Sequence, residues 1–340
     1  MEGVEGSGSM NTLSTGKLRG LQQLANPKGI LTVCAIDHRG SLKRALEGNS
    51  PGAVSYQDIV DFKLDLCQTI APFASAVLLD PIYGAAQAIA SGVLPGRIGL
   101  LVSIEKTGYT GESTARVTEL LPDWGAEKIK RLGASAVKLL IYFRPDLEDV
   151  AVRQLELVAE LANQCIKEDI PLLVESVAYP LAGEKDSPEK FSREKPELVI
   201  EAARKLTALP IDILKSEFPG DLNYEKDESK LMSFCQQLDE ASRLPWVILS
   251  AGVSFELFRK QVEIASRAGA SGFLAGRALW QEASQIHSRE ERMSFFKNKT
   301  VLRLKEIAEI ADKYGKAWYA KMGMENGQFP AVAEGWYQSY

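Results

Sequence analysis

Short, almost continuously apolar runs recur along the chain, and longer amphipathic stretches separate them. Runs of this kind are typical of parallel strands that are covered on both faces. Eight of them predict strands, at residues 30–37, 75–80, 97–105, 136–143, 171–179, 211–219, 246–252 and 272–277. The pattern therefore predicts a parallel sheet interleaved with helices.

The stretches between these runs carry apolar residues at helical spacing. They predict helices at 54–70, 122–133, 149–168, 195–206, 227–242 and 254–270. Pro122 and Asp123 precede one predicted helix, and Gly133 and Gly269 follow two others, as helix start and stop signals do. Between the second and third strands, PIYGAAQAIASG predicts only a short helix.

Eight strand–helix units over roughly 250 residues match the size and rhythm of a (β/α)8 TIM barrel. A doubly wound α/β sheet is the main alternative, but eight even repeats without a Pro- or Ser-rich linker favour closure into a single domain. We expect the barrel at 16–315, after a disordered extension at 1–15 in which Met10 is a candidate natural start. The aromatic-rich tail at 316–340 is expected to pack on the barrel or on a partner subunit.

Composition narrows the possible partners and location. The 340 residues are 45% hydrophobic, with a net charge of −5 and a pI near 5.4, which argues against nucleic acid and anionic membranes. No apolar run approaches the ~18–20 residues needed to span a bilayer. The four cysteines are far apart and form no CxxC pair, which predicts reduced thiols in a cytoplasmic protein.

Polar side chains collect where the predicted strands end, which is the functional end of such a barrel. They are Asp37, His38 and Arg39 after the first strand, Asp80, Glu105 and Lys106 after the second and third, Lys138, Glu175, Lys215 and Glu217 on the fourth to sixth, and Ser250, Gly252, Gly276 and Arg277 on the last two. Any one of them is consistent with a turn or cap residue. The consistency of the whole set favours a site.

Lys138 and Lys215 are flanked by apolar residues on even-numbered strands, so we expect them to share a layer of the barrel interior. Two neighbouring cations in a dry interior lower the pKa of at least one of them, and a neutral amine is a nucleophile. The pattern therefore predicts a Schiff-base lysine. The alternative is two internal ion pairs, Lys138 with Glu175 and Lys215 with Glu217.

The last two strands end in LSAGVS and LAGRALW, where this fold commonly binds phosphate. Gly252 and Gly276 let backbone N–H groups approach an anion, Ser250 offers a hydroxyl, and Arg277 offers a planar fork. These four residues predict an anion site. The alternative is two tight turns with the arginine in a surface ion pair.

Seven segments together resemble the tagatose-1,6-bisphosphate aldolase family and, nearly as closely, the related sulfofructosephosphate aldolases. In chain order they are AIDHRGSLK, SAVLLDPIYG, EKTGY, AVKLLIYF, DILKSEFP, LSAGVS and AGRALW, between about residues 28 and 282. The resemblance implies a class I aldolase on a (β/α)8 barrel that needs no metal or cofactor. It also implies a sugar-phosphate ligand, and barrels of this size often form homo-oligomers.

By this resemblance, Lys215 is the Schiff-base lysine and Glu175 the acid/base carboxylate, with its pKa expected to be raised by burial. Asp37 and Lys138 match polar residues around the reacting carbonyl. The phosphate next to the ketone matches Ser250, Gly252, Gly276 and Arg277. The family usually has Gln where this chain has His38. Candidates for distal-anion or sugar contacts are His38, Arg39 and Lys106.

The predicted activity is cleavage of tagatose 1,6-bisphosphate to dihydroxyacetone phosphate and glyceraldehyde 3-phosphate. The first alternative is cleavage of sulfofructose 1-phosphate to dihydroxyacetone phosphate and sulfolactaldehyde. A zinc-dependent aldolase is disfavoured because the chain has only His38 and His287, whereas a magnesium site from Asp37, Asp80 and Glu175 stays open. A non-catalytic sugar-phosphate sensor is the remaining alternative.

Overall fold

Eight parallel strands form one closed barrel at the centre of the computed structural model, which describes residues 13–48, 50–324, 328–329, 331–338 and 340. They are β1 Leu31–Ala35, β2 Ala76–Leu79, β3 Gly99–Ser103, β4 Ala136–Tyr142, β5 Leu172–Val177, β6 Ile213–Ser216, β7 Trp246–Leu249 and β8 Gly272–Ala275. The strands follow one another in chain order, and β1 closes the ring by pairing with β8. The predicted (β/α)8 barrel is confirmed.

Helices lie between the strands and at both ends of the chain. The α-helices are α1 Thr15–Leu24, α2 Gly40–Glu47, α3 Tyr56–Ile70, α4 Ala85–Ala90, α5 Ala126–Arg131, α6 Glu148–Lys167, α7 Ala182–Lys185, α8 Pro188–Leu206, α9 Glu228–Ala241, α10 Phe255–Ala268, α11 Arg277–Trp280, α12 Arg289–Phe295, α13 Val301–Tyr314 and α14 Trp318–Lys321. All six predicted amphipathic helices are present as α3, α5, α6, α8, α9 and α10. The predicted short helix after β2 is α4.

Local signals account for some helix ends and not for others. Helix α10 follows an N-cap at Ser254, whose side chain accepts from Leu257 N, and it ends before Gly269 at φ 119°. The predicted helix start at Pro122–Asp123 is wrong. Asp123 has a left-handed φ of 56°, and α5 begins only after Gly125.

The predicted strands extend past the observed ones at the carboxyl end. The segment 211–219 contains only four strand residues, because pairing of β6 with β7 stops at Ser216 opposite Ile248. Beyond that point the backbone leaves the barrel and enters the loops. The polar residues predicted at strand ends therefore lie partly on strands and partly on the loops above them.

The barrel interior is filled by apolar side chains at its amino-terminal end. This cluster contains Leu31, Val33, Ala35, Ala76, Leu78, Leu101, Ala136, Leu173, Ile213, Val247 and Leu274 from all eight strands. Leu21 and Leu24 of α1 and Trp318 of α14 belong to the same cluster and close this end of the barrel. Residues 1–12 of the predicted extension lie outside the described residues.

A second apolar cluster fills the space between the strands and the surrounding helices. Strand residues alternate between the two clusters, since successive side chains point to opposite faces. Lys138, Glu175 and Lys215 lie two residues beyond the interior residues Ala136, Leu173 and Ile213. Their side chains therefore enter the barrel directly above its apolar floor.

Candidate active site

Two lysines and one glutamate meet above this floor. Lys138, Glu175 and Lys215 come from the neighbouring strands β4, β5 and β6, and each is at most 7% exposed. The Nζ atoms of Lys138 and Lys215 lie 3.0 and 2.9 Å from the same atom, Oε2 of Glu175. The two amines therefore meet in one layer, as expected from their even-numbered strands, with a shared carboxylate oxygen between them.

Lys138 is surrounded by carboxylates. Besides Glu175, its Nζ contacts Asp37 Oδ2 at 3.0 Å and Glu105 Oε1 at 2.7 Å. Burial alone would lower the pKa of Lys138, but the three carboxylates hold it well above its usual value. Repulsion from a second cation therefore does not lower the pKa of this lysine. Lys138 keeps its charge at neutral pH.

Glu175 is held in its anionic form. Burial would raise the pKa of its carboxyl group, but the ammonium groups of Lys138 and Lys215 bring that pKa below its usual value. The expectation of a raised pKa is therefore wrong, because it considered burial without the paired cations. Among the described residues, Glu175 is the one carboxylate that contacts the Lys215 amine.

The alternative of two separate ion pairs fails for Lys215. Glu217 turns outward to Lys195 of α8, at 3.1 Å, and also accepts a hydrogen bond from Ala178 N at 2.7 Å. Glu217 therefore does not pair with Lys215, whose amine contacts Glu175 instead. The Lys138–Glu175 pair does form, but within a larger group of charged residues that we name the charge cluster: Asp37, Glu105, Lys138, Glu175 and Lys215.

Glu105 is a site residue to which the sequence assigned no role. Its Oε1 binds Lys138, and its Oε2 accepts from the backbone N–H of Leu140 at 3.1 Å. The available signal was its position at the end of the apolar run 97–105. That signal did not show that β3 and β4 are neighbours whose register places Ser103 beside Lys138.

Ser250, Gly252, Gly276 and Arg277 lie together at the ends of β7 and β8, and we name them the anion cradle. Gly276 N donates to Ser250 Oγ at 3.4 Å. Gly252 has a left-handed φ of 78°, and a Cβ there would lie 2.8 Å from Arg277 Cζ. The buried Nε of Arg277 has no hydrogen-bond partner among the described residues. The cradle thus holds a guanidinium donor that protein atoms leave unsatisfied.

His38 packs against the cradle. A Cβ on Gly276 would lie 2.6 Å from His38 Cε1, and the imidazole meets Trp280 edge-on at 5.1 Å. Burial lowers the pKa of His38 to about 4. The Asp37 carboxylate opposes this shift, and the cations of Arg277, Lys63 and Lys215 add to it. The imidazole is neutral at pH 7.

His38→Gln is expected to make the protein more resistant to acid. The pKa of His38 is lower in the folded state than in the unfolded chain, so the unfolded chain binds more protons between pH 6.5 and about 4. The stability of wild type therefore decreases as the pH falls through this range. The free energy of unfolding of the variant, minus that of wild type, should be about 2 kcal/mol larger at pH 5 than at pH 7. Urea unfolding at both pH values measures this. An equal difference at the two pH values would contradict it.

Arg39 and Lys106 occupy different settings. Arg39 is buried, its Nη2 donates to Glu105 O at 2.7 Å, and its Nη1 has no partner among the described residues. Lys106 is nearly half exposed and pairs with Glu119 at 2.7 Å. Arg39 therefore contacts the charge cluster at Glu105, whereas Lys106 lies on an exposed part of the loop after β3.

The three carboxylates of the suggested magnesium site do not form one group. Asp80 binds Lys63 of α3, and its other oxygen accepts from Ile82 N and Tyr83 N. Within the described ranges, no group of three or more His, Cys, Asp and Glu side chains is arranged to hold a metal ion.

A family model described as DeoC/LacD family aldolase matches residues 31–282. The chain belongs to the DeoC/LacD family of aldolases. The match begins at β1 and ends just after α11, so it includes every strand, the charge cluster and the anion cradle. The predicted membership of a family of aldolases is confirmed, and with it the prediction that the protein is a lyase.

Named relatives of this aldolase include the tagatose 1,6-diphosphate aldolases of Staphylococcus aureus strains JH9 and Newman. Each is 34% identical over 291 residues, which cover 81% of this chain and 87% of the relative. This agrees with the resemblance found in the seven segments.

Among the described residues, no helix of this aldolase has the length and apolar character needed to span a bilayer.

Solved structures of other aldolases share the fold. A Schiff-base-forming fructose-1,6-bisphosphate aldolase is 22% identical with a TM-score of 0.57, covering 86% of this chain and 98% of its own. A fructose-bisphosphate aldolase from Plasmodium falciparum is 14% identical with a TM-score of 0.66, covering 89% and 97%. At these identities the likeness establishes the common barrel.

Proposed function

We propose that this aldolase cleaves the C3–C4 bond of a phosphorylated ketohexose through a Schiff base on Lys215. The carrying observation is that one oxygen of Glu175 contacts both buried amines. The preferred substrate is tagatose 1,6-bisphosphate, as in the names of the Staphylococcus aureus relatives. The products are dihydroxyacetone phosphate and glyceraldehyde 3-phosphate.

The first step is a proton transfer that makes Lys215 a nucleophile. The 2.9 Å contact lets Glu175 Oε2 accept a proton directly from Nζ of Lys215. Lys138 cannot play the same part, because Asp37 and Glu105 hold its proton as well. These contacts support different roles for the two lysines: Lys215 attacks, and Lys138 remains the fixed cation.

The neutral amine of Lys215 then adds to C2 of the open-chain ketose. Protonated Glu175 donates its proton to the departing hydroxyl, so that water leaves and an iminium forms. The Glu175 carboxylate next removes the proton of the C4 hydroxyl, and the electrons of the C3–C4 bond move into the iminium. The aldehyde departs, and Glu175 returns the proton to C3 of the remaining enamine. Water then hydrolyses the resulting iminium, which frees Lys215 and releases dihydroxyacetone phosphate.

The anion cradle holds the C1 phosphate. Arg277 offers its unsatisfied Nε, and Ser250 offers a hydroxyl. When the phosphate is anchored in the cradle, C2 of the substrate lies beside Lys215 on β6, the strand that neighbours β7. Holding the ketone against the amine in this way converts a bimolecular encounter into an intramolecular step.

Borohydride trapping tests the proposal. With tagatose 1,6-bisphosphate present, borohydride should reduce the iminium to a stable secondary amine, and peptide mass mapping should place the adduct on Lys215. EDTA should leave cleavage unchanged, since the iminium is the electron sink. Inhibition by EDTA with no adduct would instead indicate a metal-dependent aldolase. Tight binding of the sugar without turnover or adduct would indicate a sensor.

Cleavage rates on sulfofructose 1-phosphate and fructose 1,6-bisphosphate, measured beside tagatose 1,6-bisphosphate, decide the preferred sugar. The four cysteines are buried and free, which supports a reducing, cytoplasmic setting for this reaction.

A further inference from the structure

The segment between β3 and α5 forms a hairpin that belongs to the carboxyl end of the barrel. Bridges join Glu105 to Leu120 and Thr110 to Val117 in antiparallel pairs. Lys185 Nζ, from α7 after β5, donates to Ser113 Oγ at 2.6 Å and ties the hairpin to the next loops. The hairpin therefore extends from β3 toward the ends of β4 and β5.

Arg116 on this hairpin is enclosed by three tyrosines. Its Cζ lies 4.6 Å from the ring centre of Tyr109, 5.5 Å from that of Tyr142 and 4.8 Å from that of Tyr179. Its backbone N–H donates to the Tyr179 hydroxyl at 3.2 Å. Such packing fixes a guanidinium in place and excludes water from its faces.

The charge of Arg116 is not neutralised by the protein. Its Nε donates to the backbone carbonyl of Ser113 at 3.0 Å. Among the described residues, no carboxylate lies within ion-pair distance of it and neither Nη atom has a hydrogen-bond acceptor. Arginines of the neighbouring loops differ: Arg144, for example, binds both Asp146 and Glu184. Arg116 is thus held rigidly with two donors to spare.

The position of this arginine completes a series around the barrel mouth. The anion cradle lies just beyond the ends of β7 and β8, whereas Lys215 lies on β6 and Glu175 on β5. Tyr142 lies on β4, on the inward face that it shares with Lys138, and the hairpin follows β3. In a closed eight-stranded ring β4 is opposite β8. A substrate with its phosphate in the cradle and its reacting carbons over β6 and β5 therefore directs its far end toward Arg116.

We propose that Arg116 binds the anionic group at the far end of the substrate, a phosphate monoester or a sulfonate. The site consists of the Arg116 fork, which the rings of Tyr109 and Tyr142 flank. Burial raises the pKa of Tyr142, so its hydroxyl stays protonated and able to donate. The inference rests on the proposed function, because it needs the substrate to lie between the cradle and Lys215.

Three substrates separate the far-end anion from the rest of the sugar: tagatose 1,6-bisphosphate, sulfofructose 1-phosphate and tagatose 1-phosphate, which lacks a far-end anion. Arg116→Met should lower kcat/KM for the first, the second or both by about 30- to 100-fold, as expected for loss of a charge-assisted hydrogen-bond pair. Its kcat/KM for tagatose 1-phosphate should stay within about twofold of wild type. The substrate that loses more identifies the anion.

Three comparison variants sharpen the test. Arg131→Met removes an exposed arginine that pairs with Glu127 on α5, and it should leave all three rates unchanged. Arg277→Ala should raise KM for all three substrates, since each carries the C1 phosphate. Arg116→Lys keeps the charge without the fork and should recover part of the loss.

Equal losses on all three substrates in Arg116→Met would show a structural role for the hairpin and overturn the proposal. Unchanged discrimination among the substrates would overturn it as well. Failure of the proposed function looks different: wild-type protein would then cleave none of the three and form no borohydride adduct.

Discussion

Lys215→Met is expected to lower kcat for ketose-phosphate cleavage by about 10⁴-fold or more, as removal of a covalent nucleophile does. Methionine keeps most of the side-chain volume but has no nitrogen to form the iminium. The loss corresponds to about 5 kcal/mol of transition-state stabilisation. Steady-state rates on tagatose 1,6-bisphosphate measure it, and borohydride treatment should then give no adduct.

The matched control is Lys195→Met. Lys195 on α8 is also largely buried and also pairs with a glutamate, Glu217, at 3.1 Å, but it lies outside the barrel interior. This variant should keep its cleavage rate and its adduct on Lys215. Substantial activity in Lys215→Met, or an adduct that maps to Lys138 instead, would disprove the assignment of the nucleophile.

Lys138→Met is expected to destabilise the fold by about 3–5 kcal/mol, because removing one partner leaves buried charges uncompensated. Asp37, Glu105 and Glu175 all contact the Lys138 amine and would then repel one another. Cleavage should also fall sharply, since Lys215 alone would then hold Glu175 in its anionic form and in its orientation. Urea unfolding and steady-state kinetics measure the two losses separately.

The pH dependence of this variant gives a second readout. In wild type, the cations hold the pKa values of Asp37 and Glu175 below their usual range, with burial opposing. The contribution of these two carboxylates to the stability of the fold is present above about pH 4. It is lost as the pH falls through their pKa values in the folded state. In Lys138→Met the pKa values of these carboxyl groups should rise instead. The loss of stability compared with wild type should therefore be larger at pH 8 than at pH 5.

Lys106→Met is the control for this stability loss. Its pair with Glu119 is exposed, so its removal should cost less than about 1 kcal/mol. A loss of similar size in Lys138→Met, with no dependence on pH, would contradict the view that the three carboxylates need this cation.

The strands and most helices could be predicted because their signals are local. Apolar runs of four to nine residues, and apolar spacing at the helical period, follow from burial and hold without knowledge of the partner. The signals failed where the ends depend on neighbours. Asp123 seemed to start a helix but adopts a left-handed turn, and residues 217–219 seemed to continue β6 but leave it where pairing with β7 stops.

Sequence reasoning found residues of the candidate site but misjudged how their charges pair. Lys215, Lys138 and Glu175 were found because polar groups in apolar runs need a reason. The alternative pairing of Lys215 with Glu217 was wrong, because β6 ends at Ser216 and Glu217 turns outward to Lys195 of α8. Glu105 and Arg116 received no role, because their partners lie on other strands and loops.

The order of apolar and polar residues by itself determined eight strands that alternate with helices and two lysines within the apolar strands, because strands covered on both faces leave nearly continuous apolar runs. Only the tertiary structure decided that Lys138 is held in its charged form. That depends on Asp37 and Glu105 reaching Lys138 from β1 and β3, strands far from it in sequence. Electrostatic energies depend on distances between such groups, and distances exist only once the ring has closed.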